Sequence, residues 1–306
     1  MTIIKVSENL YNIILKLNLD GSDFFLSPWV YNDNNLSFIV DPGPTSTIKV
    51  LKKELNNLNI TDKNLDFILL THIHMDHAGG AGSLLNYYSK AKVICHPKGI
   101  KHLINPEALW KGSKKVLGKV ANLYGEIRSI PPDRILYQEK IADNKIKAIE
   151  TLGHAPHHLS FLFQKYLFAG EAAGVSYPLP NQIYIRPATP PIFNYNISIN
   201  TLDNLISLKL LDYMICYAHH GVRENADLML RLAREQIILW TKVIQSNIQK
   251  RNKSESISYI IDKLKKKDQY FSNISFLKDD VRKREIFFVN NSIKGITEYI
   301  LNSTIN

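Results

Sequence analysis

Four side chains able to bind a metal ion fall within six consecutive residues: His72, His74, Asp76 and His77. They follow the apolar run Phe67-Ile68-Leu69-Leu70, which has the length and composition of a buried strand. In extended backbone the side chains alternate, so His72 and His74 point to the same side and can grip one ion. Asp76 and His77 come after the chain has turned and can face a second ion. Gly79 and Gly80 let the chain turn tightly beside them. Imidazole and carboxylate donors suit zinc, and also iron or manganese.

Three more strand-like runs end in the same residue types. Thr151-Leu152-Gly153-His154 is succeeded by His157 and His158, Phe168-Ala169-Gly170 by Glu171, and Tyr217-Ala218 by His219 and His220. Strand ends are where loops assemble sites on a rigid scaffold. A single histidine carries little information. Here eight of ten histidines lie in three clusters, each behind an apolar run, and that concentration points to metal chemistry. His96 and His102 lie outside the clusters and are read as ordinary structural residues.

The elements that must position these groups can be read from periodicity. Apolar runs at Leu10–Leu19, Phe24–Tyr31 and Leu36–Val40, separated by Asp20-Gly21 and Asn32–Asn35, predict a β-meander. Asp41-Pro42-Gly43-Pro44 ends it. Helical spacing follows over residues 46–58, then the strand before His72, a short helix through Leu84 and Leu85, a strand at Ala91–Cys95 and a helix-rich stretch to about Asn122. Residues 134–170 read as strands, with Gln164-Lys165 as a hairpin turn. Ile197–Leu210 reads as a helix and Tyr213–Ala218 as a strand. A long helix from about Asn225 to Gln249 follows, and Ser254–Asn306 reads as two or three shorter amphipathic helices. The expected organisation is therefore a mixed α/β domain over 1–222 and a helical region over 223–306.

Composition narrows the partners. With 306 residues, 45% of them hydrophobic and 22% charged, the chain can bury a sizeable core. The formal charge of +10 is compatible with a nucleic-acid partner. However, the densest basic run, Lys263–Lys267, reads as a solvated helix face, and no basic stripe is interleaved with aromatics. Cys95 and Cys216 sit in apolar runs and are expected to be buried free thiols. The first residues lack a signal-peptide pattern and no apolar stretch reaches 18 residues. A cytoplasmic location with no membrane contact is the expectation.

His-x-His-x-Asp-His after a buried strand, followed by glycine, resembles the signature of the metallo-β-lactamase superfamily. Asp41 in Asp41-Pro42-Gly43 resembles the family's early Asp-x-Gly element, and Thr151-x-Gly153-His154-x-Pro156-x-His158 resembles its second histidine element. Glu171 stands where the family carries an aspartate and is one methylene longer. The resemblance covers most of the first 222 residues. It implies a four-layer αββα sandwich with a C-terminal helical extension.

For the site, the resemblance implies two divalent metal ions, zinc before iron or manganese. His72, His74 and His154 would hold the first ion. Asp76, His77 and a last histidine would hold the second, and Glu171 would bridge them. His219 is favoured as that last ligand, with His220 the alternative. Asp41 and His158 would support the ligands from behind. The implied activity is hydrolysis of a small ester, thioester or lactone, as in the glyoxalase II-like or lactonase-like branch. Water activated between the ions would be the nucleophile and Asp76 the proton shuttle. Tyr177, Tyr184 and Arg186 follow Glu171 closely and are expected at the mouth of the site, against the substrate. A phosphodiesterase or RNA-processing nuclease and a mononuclear iron dioxygenase are the alternatives on this fold. The C-terminal helices would cap the pocket or form a homodimer contact.

Overall fold

The computed structural model describes residues 3–22, 25–248 and 256–303. Phe24, Gln249, residues 254–255 and residues 304–306, which fall within predicted elements, lie outside them. The chain forms two compact units. One comprises the described residues up to Glu150 together with His157–Gly170. The other comprises Thr151–Pro156 and the described residues from Glu171 onward.

The first unit contains a seven-stranded sheet in chain order: β1 (Ile3–Lys5), β2 (Leu10–Ile13), β3 (Trp29–Asn32), β4 (Ser37–Val40), β5 (Phe67–Leu69), β6 (Lys92–Ile94) and β7 (Ile135–Leu136). The first four pair antiparallel, as a meander with short links allows. From β4 to β7 the pairs are parallel, so each link must cross over. The links run through α1 (Ile48–Asn57), then α2 (Met75–Ala78) with α3 (Ala81–Leu85), then α4 (Pro97–Ile104), α5 (Glu107–Leu117) and α6 (Lys119–Tyr124). Strand β1 was not anticipated: three residues are too few to show alternation.

A second sheet in this unit is an antiparallel meander of β8 (Lys140–Ile141), β9 (Ile146–Glu150), β10 (Leu159–Phe163) and β11 (Tyr166–Gly170). The two sheets share an aromatic core. Phe38 of β4 lies 5.1 Å from Phe163 and 5.9 Å from Phe168, both edge-on, and Tyr31 and Trp29 of β3 meet the same pair. Such edge-to-face pairs add about 0.5–1.5 kcal/mol each beyond their burial. The ends of β4, β5 and β11 carry Asp41, the histidine loop and Gly170.

The second unit holds the hairpin β12 (Val175–Leu179) and β13 (Gln182–Arg186), helix α7 (Tyr195–Ser207), the pair β14 (Met214–Tyr217) and β15 (Val222–Arg223), and helices α8 (Ala226–Ile248), α9 (Ser256–Lys267), α10 (Gln269–Ser272) and α11 (Asp279–Ser303). Its core includes Trp240, Phe271 and Tyr184. Buried Asp268 accepts from Gln236 and Trp240 and caps α10.

The segment after Glu171 forms a hairpin, turned at Asn181 (φ 57°). The tail contains one helix of 25 residues, α11, rather than only short ones. Hairpin β12/β13 is tied to the late helices by Gln236 donating to Ile185 O and Asn273 donating to Ile183 O. Among the described residues no helix is long and apolar enough to cross a membrane.

Candidate metal centre

In the first unit the site begins at Asp41, where β4 ends. Its φ is +53°, a left-handed conformation that aspartate tolerates better than most residues. The carboxylate is aimed at the end of β5. Its Oδ1 accepts from the Thr71 backbone N–H at 2.8 Å and its Oδ2 from the Thr71 hydroxyl at 2.6 Å. The same Oδ2 lies 3.2 Å from His77 Nδ1. A carboxylate only accepts, so the His77 proton sits on Nδ1 and Nε2 is left to coordinate. Two backbone bonds, Gly43 N–H to His77 O and Gly80 N–H to Gly43 O, clip the two loops together.

The imidazoles crowd around this clip. His72 and His77 have ring centres 4.1 Å apart, and His72 and His74 have theirs 4.5 Å apart at 85°. His72, His77 and His158 are buried. Donor atoms of Asp41, His72 and His77 all lie within 4.8 Å of one another. Met75, between the ligand-type residues, packs with Ala121, Tyr124 and Ile127 and so anchors α2. His158 backs the cluster, its ring 5.2 Å from His72 and nearly parallel. Gly170 (φ +57°) makes room for it: an added Cβ would stand 2.5 Å from His158 Nε2 and 2.9 Å from Thr71 Cβ.

The second unit carries the remaining candidates. His154 Nδ1 donates to Ala188 O at 2.7 Å, which leaves Nε2 to coordinate and is the usual second bond of a metal-bound histidine. Glu171 offers one oxygen to each of two imidazoles: Oε2 lies 3.0 Å from His154 Nε2, and Oε1 lies 3.8 Å from His219 Nε2. His220 is differently engaged. Arg284 Nη2 donates to its Nε2 at 3.2 Å, and its ring lies 4.7 Å from that of Tyr177. Burial and the Arg284 charge push its pKa well below the ordinary value. His220 Nε2 thus faces Arg284, whereas His219 Nε2 faces Glu171.

Tyr184 and Arg186 are not placed as expected. Both are buried on β13, with the Tyr184 hydroxyl donating to Glu285 Oε2 at 3.0 Å and Arg186 Nε to the same atom at 2.5 Å. Their polar ends are committed inside the unit, so they are withdrawn as substrate contacts. Burial alone would raise the Glu285 carboxyl, but Arg186 and Arg284 outweigh it and hold the pKa down to about 2. Sequence reasoning missed Arg284 and Glu285. A signal was present, because Glu285 falls in the apolar register of Val281, Val289 and Ile293 on α11. A charge in such a register needs a buried partner.

The donor set, imidazoles beside carboxylates with His77 and His154 each anchored through Nδ1, fits a divalent metal. The profile of the Metallo-beta-lactamase superfamily matches residues 23–219. The chain belongs to this superfamily.

Among superfamily relatives, the chain is 32% identical over 203 residues to a metallo-beta-lactamase fold-containing protein of Sulfurisphaera tokodaii, covering 63% of this chain and 72% of the relative. It is 28% identical to a probable metallo-hydrolase of Methanocaldococcus jannaschii, over 68% of this chain and 93% of that one. It is 29% identical to the hydroxyacylglutathione hydrolase of Blochmanniella pennsylvanica, over 46% of this chain and 44% of that enzyme. The crystal structure of an archaeal superfamily protein from Sulfolobus tokodaii superposes with a TM-score of 0.66 at 22% identity, covering 95% of this chain and 99% of the other. The protein is a metal-dependent hydrolase of the metallo-β-lactamase fold.

Proposed function

We propose that the protein hydrolyses a small ester, thioester or lactone with two divalent metal ions, zinc in the first instance. His72, His74 and His154 would hold one ion, Asp76, His77 and His219 the other, and Glu171 would bridge them. The observation that carries this reading is the Glu171 carboxylate, which turns one oxygen toward His154 and the other toward His219. The extra methylene of glutamate is thus accommodated while both oxygens stay directed at ligand-type nitrogens. The partial likeness to a hydroxyacylglutathione hydrolase supports an acyl substrate.

When bound, the ions would acidify a water molecule and polarise the substrate carbonyl. Asp76 stands beside His77, its Oδ2 3.4 Å from His77 Nε2, and is partly exposed. That suits it to orient the water, take its proton and pass it to the leaving group. Asp41 and Thr71 keep the histidine loop in register, which shortens the reorganisation needed on binding. In this reading residues 1–222 supply every ligand.

The test is a hydrolysis screen of acyl thioesters, lactones and phosphodiesters with protein reloaded with zinc, manganese or iron. Turnover of a thioester, ester or lactone that is lost in Asp76→Asn is expected. Turnover of phosphodiesters alone, or oxygen uptake with one bound iron and no hydrolysis, would overturn it.

A further inference from the structure

The last ligand-type histidine sits in a turn that the chain does not adopt easily. Tyr217 N–H bonds to Gly221 O at 2.9 Å, closing the turn between β14 and β15. Inside it His220 has φ +67° and Gly221 has φ +96°. A left-handed conformation is unfavourable for a residue other than glycine, so surrounding contacts must hold His220 there. β15 is tied down by Arg223, which donates to Tyr177 O and to Ser176 Oγ. The His220 ring itself contacts Tyr177, its centre 4.7 Å away, and its Nε2 accepts from Arg284 of α11.

Arg284 is fixed in turn. It donates to Glu285 Oε1 at 3.1 Å, while Glu285 Oε2 takes Arg186 and Tyr184. Glu285 is fully buried, and the Arg186 and Arg284 side chains are 3% and 8% exposed. Buried charge clusters are poor sources of stability, because desolvation offsets their attraction, but they fix geometry. Here two guanidiniums and one carboxylate lock the direction from which His220 is addressed. An arginine can only donate, so His220 Nε2 accepts and its proton lies on Nδ1.

We propose that Arg284, acting through His220, is a positioning residue for the metal ligand His219. This inference rests on the two-metal reading above. The charged cluster on α11 holds the strained turn, and the turn keeps His219 Nε2 directed at Glu171. The late helices, which supply no ligand, would thereby set the affinity of one of the two ions.

The experiment is a stepwise Co²⁺ titration of metal-free protein, read by the visible absorption of the bound ion. Arg284→Gln, Arg284→Lys, His220→Asn and the Arg284→Gln/His220→Asn double variant are compared with wild type. Asparagine accepts the left-handed backbone, so His220→Asn removes the ring contact and the Nε2 acceptor of Arg284 without adding backbone strain or deleting a buried charge. Arg284→Gln and His220→Asn should each bind the second Co²⁺ about 10- to 100-fold more weakly, with the first ion unchanged. Arg284→Lys should recover part of that loss. The double variant should be no weaker than the weaker single variant, because both act along one path.

Second-ion affinity within twofold of wild type in His220→Asn would overturn the proposal. So would equal weakening of both ions, or losses that add in the double variant. A wild-type protein that takes up no second ion would instead sink the two-metal reading itself, before any variant is compared.

Discussion

Replacing Asp41 by asparagine perturbs the metal centre without touching any proposed ligand. The backbone is not disturbed, since asparagine adopts φ near +53° readily. The amide oxygen can keep the bond to the Thr71 N–H, now at 2.8 Å. The amide nitrogen then takes the place of Oδ2, which faces both the Thr71 hydroxyl and His77 Nδ1. The hydroxyl can turn to accept, but His77 Nδ1 must carry its proton if Nε2 is to coordinate, so donor faces donor. A hydrogen bond to a charged group contributes about 1.5–3 kcal/mol. At 1.4 kcal/mol per factor of ten, that is roughly a 10- to 100-fold loss in metal affinity, the range seen when a group behind a metal ligand is changed. Metal titration against a chromophoric chelator measures it, with far-UV circular dichroism as a control for folding. An Asp41→Asn protein that binds its ions within twofold of wild type refutes the idea that Asp41 orients His77.

Gly170→Ala should destabilise the protein by about 2–5 kcal/mol, combining a left-handed backbone with overpacking against His158 and Thr71; a change below about 1 kcal/mol in urea unfolding would contradict this. Asp76→Asn, assayed with its metal content verified, should lower kcat about 10²- to 10⁴-fold, and undiminished turnover would remove the proton-transfer role. Glu285 ionises more easily folded than unfolded, at about 2 against 4.5. Its contribution is therefore complete above about pH 4.5 and lost as pH falls toward 2, about 3 kcal/mol in all. Glu285→Gln should flatten the stability profile across that window, and a profile parallel to wild type would show that the buried pair with Arg186 carries no such linkage.

Much of the site was legible because the fold writes it into contiguous residues. His72, His74, Asp76 and His77 follow a strand buried on both faces, and such strands read as unbroken apolar runs. Asp41 and Gly170 were visible for the same reason, each closing an apolar strand run. What could not be read was chemistry assembled by late tertiary contact. Arg186 looks like an exposed anion ligand until β13 packs beside α11 and Glu285 takes its guanidinium. Choosing between His219 and His220 also depends on Arg284, 64 residues further along. Hairpin β12/β13 escaped notice because a proline argues against a strand, although the hairpin pairs in register from Val175 with Arg186 to Leu179 with Gln182, Pro178 opposite Ile183 included.

The most direct test of the central claim is the metal content per chain, by elemental analysis of protein purified without chelators. Two zinc, iron or manganese ions per chain are predicted, with Glu171 serving as the bridge. No bound metal even after supplemented growth and dialysis against metal, or a single tightly held iron, would contradict a two-metal hydrolase.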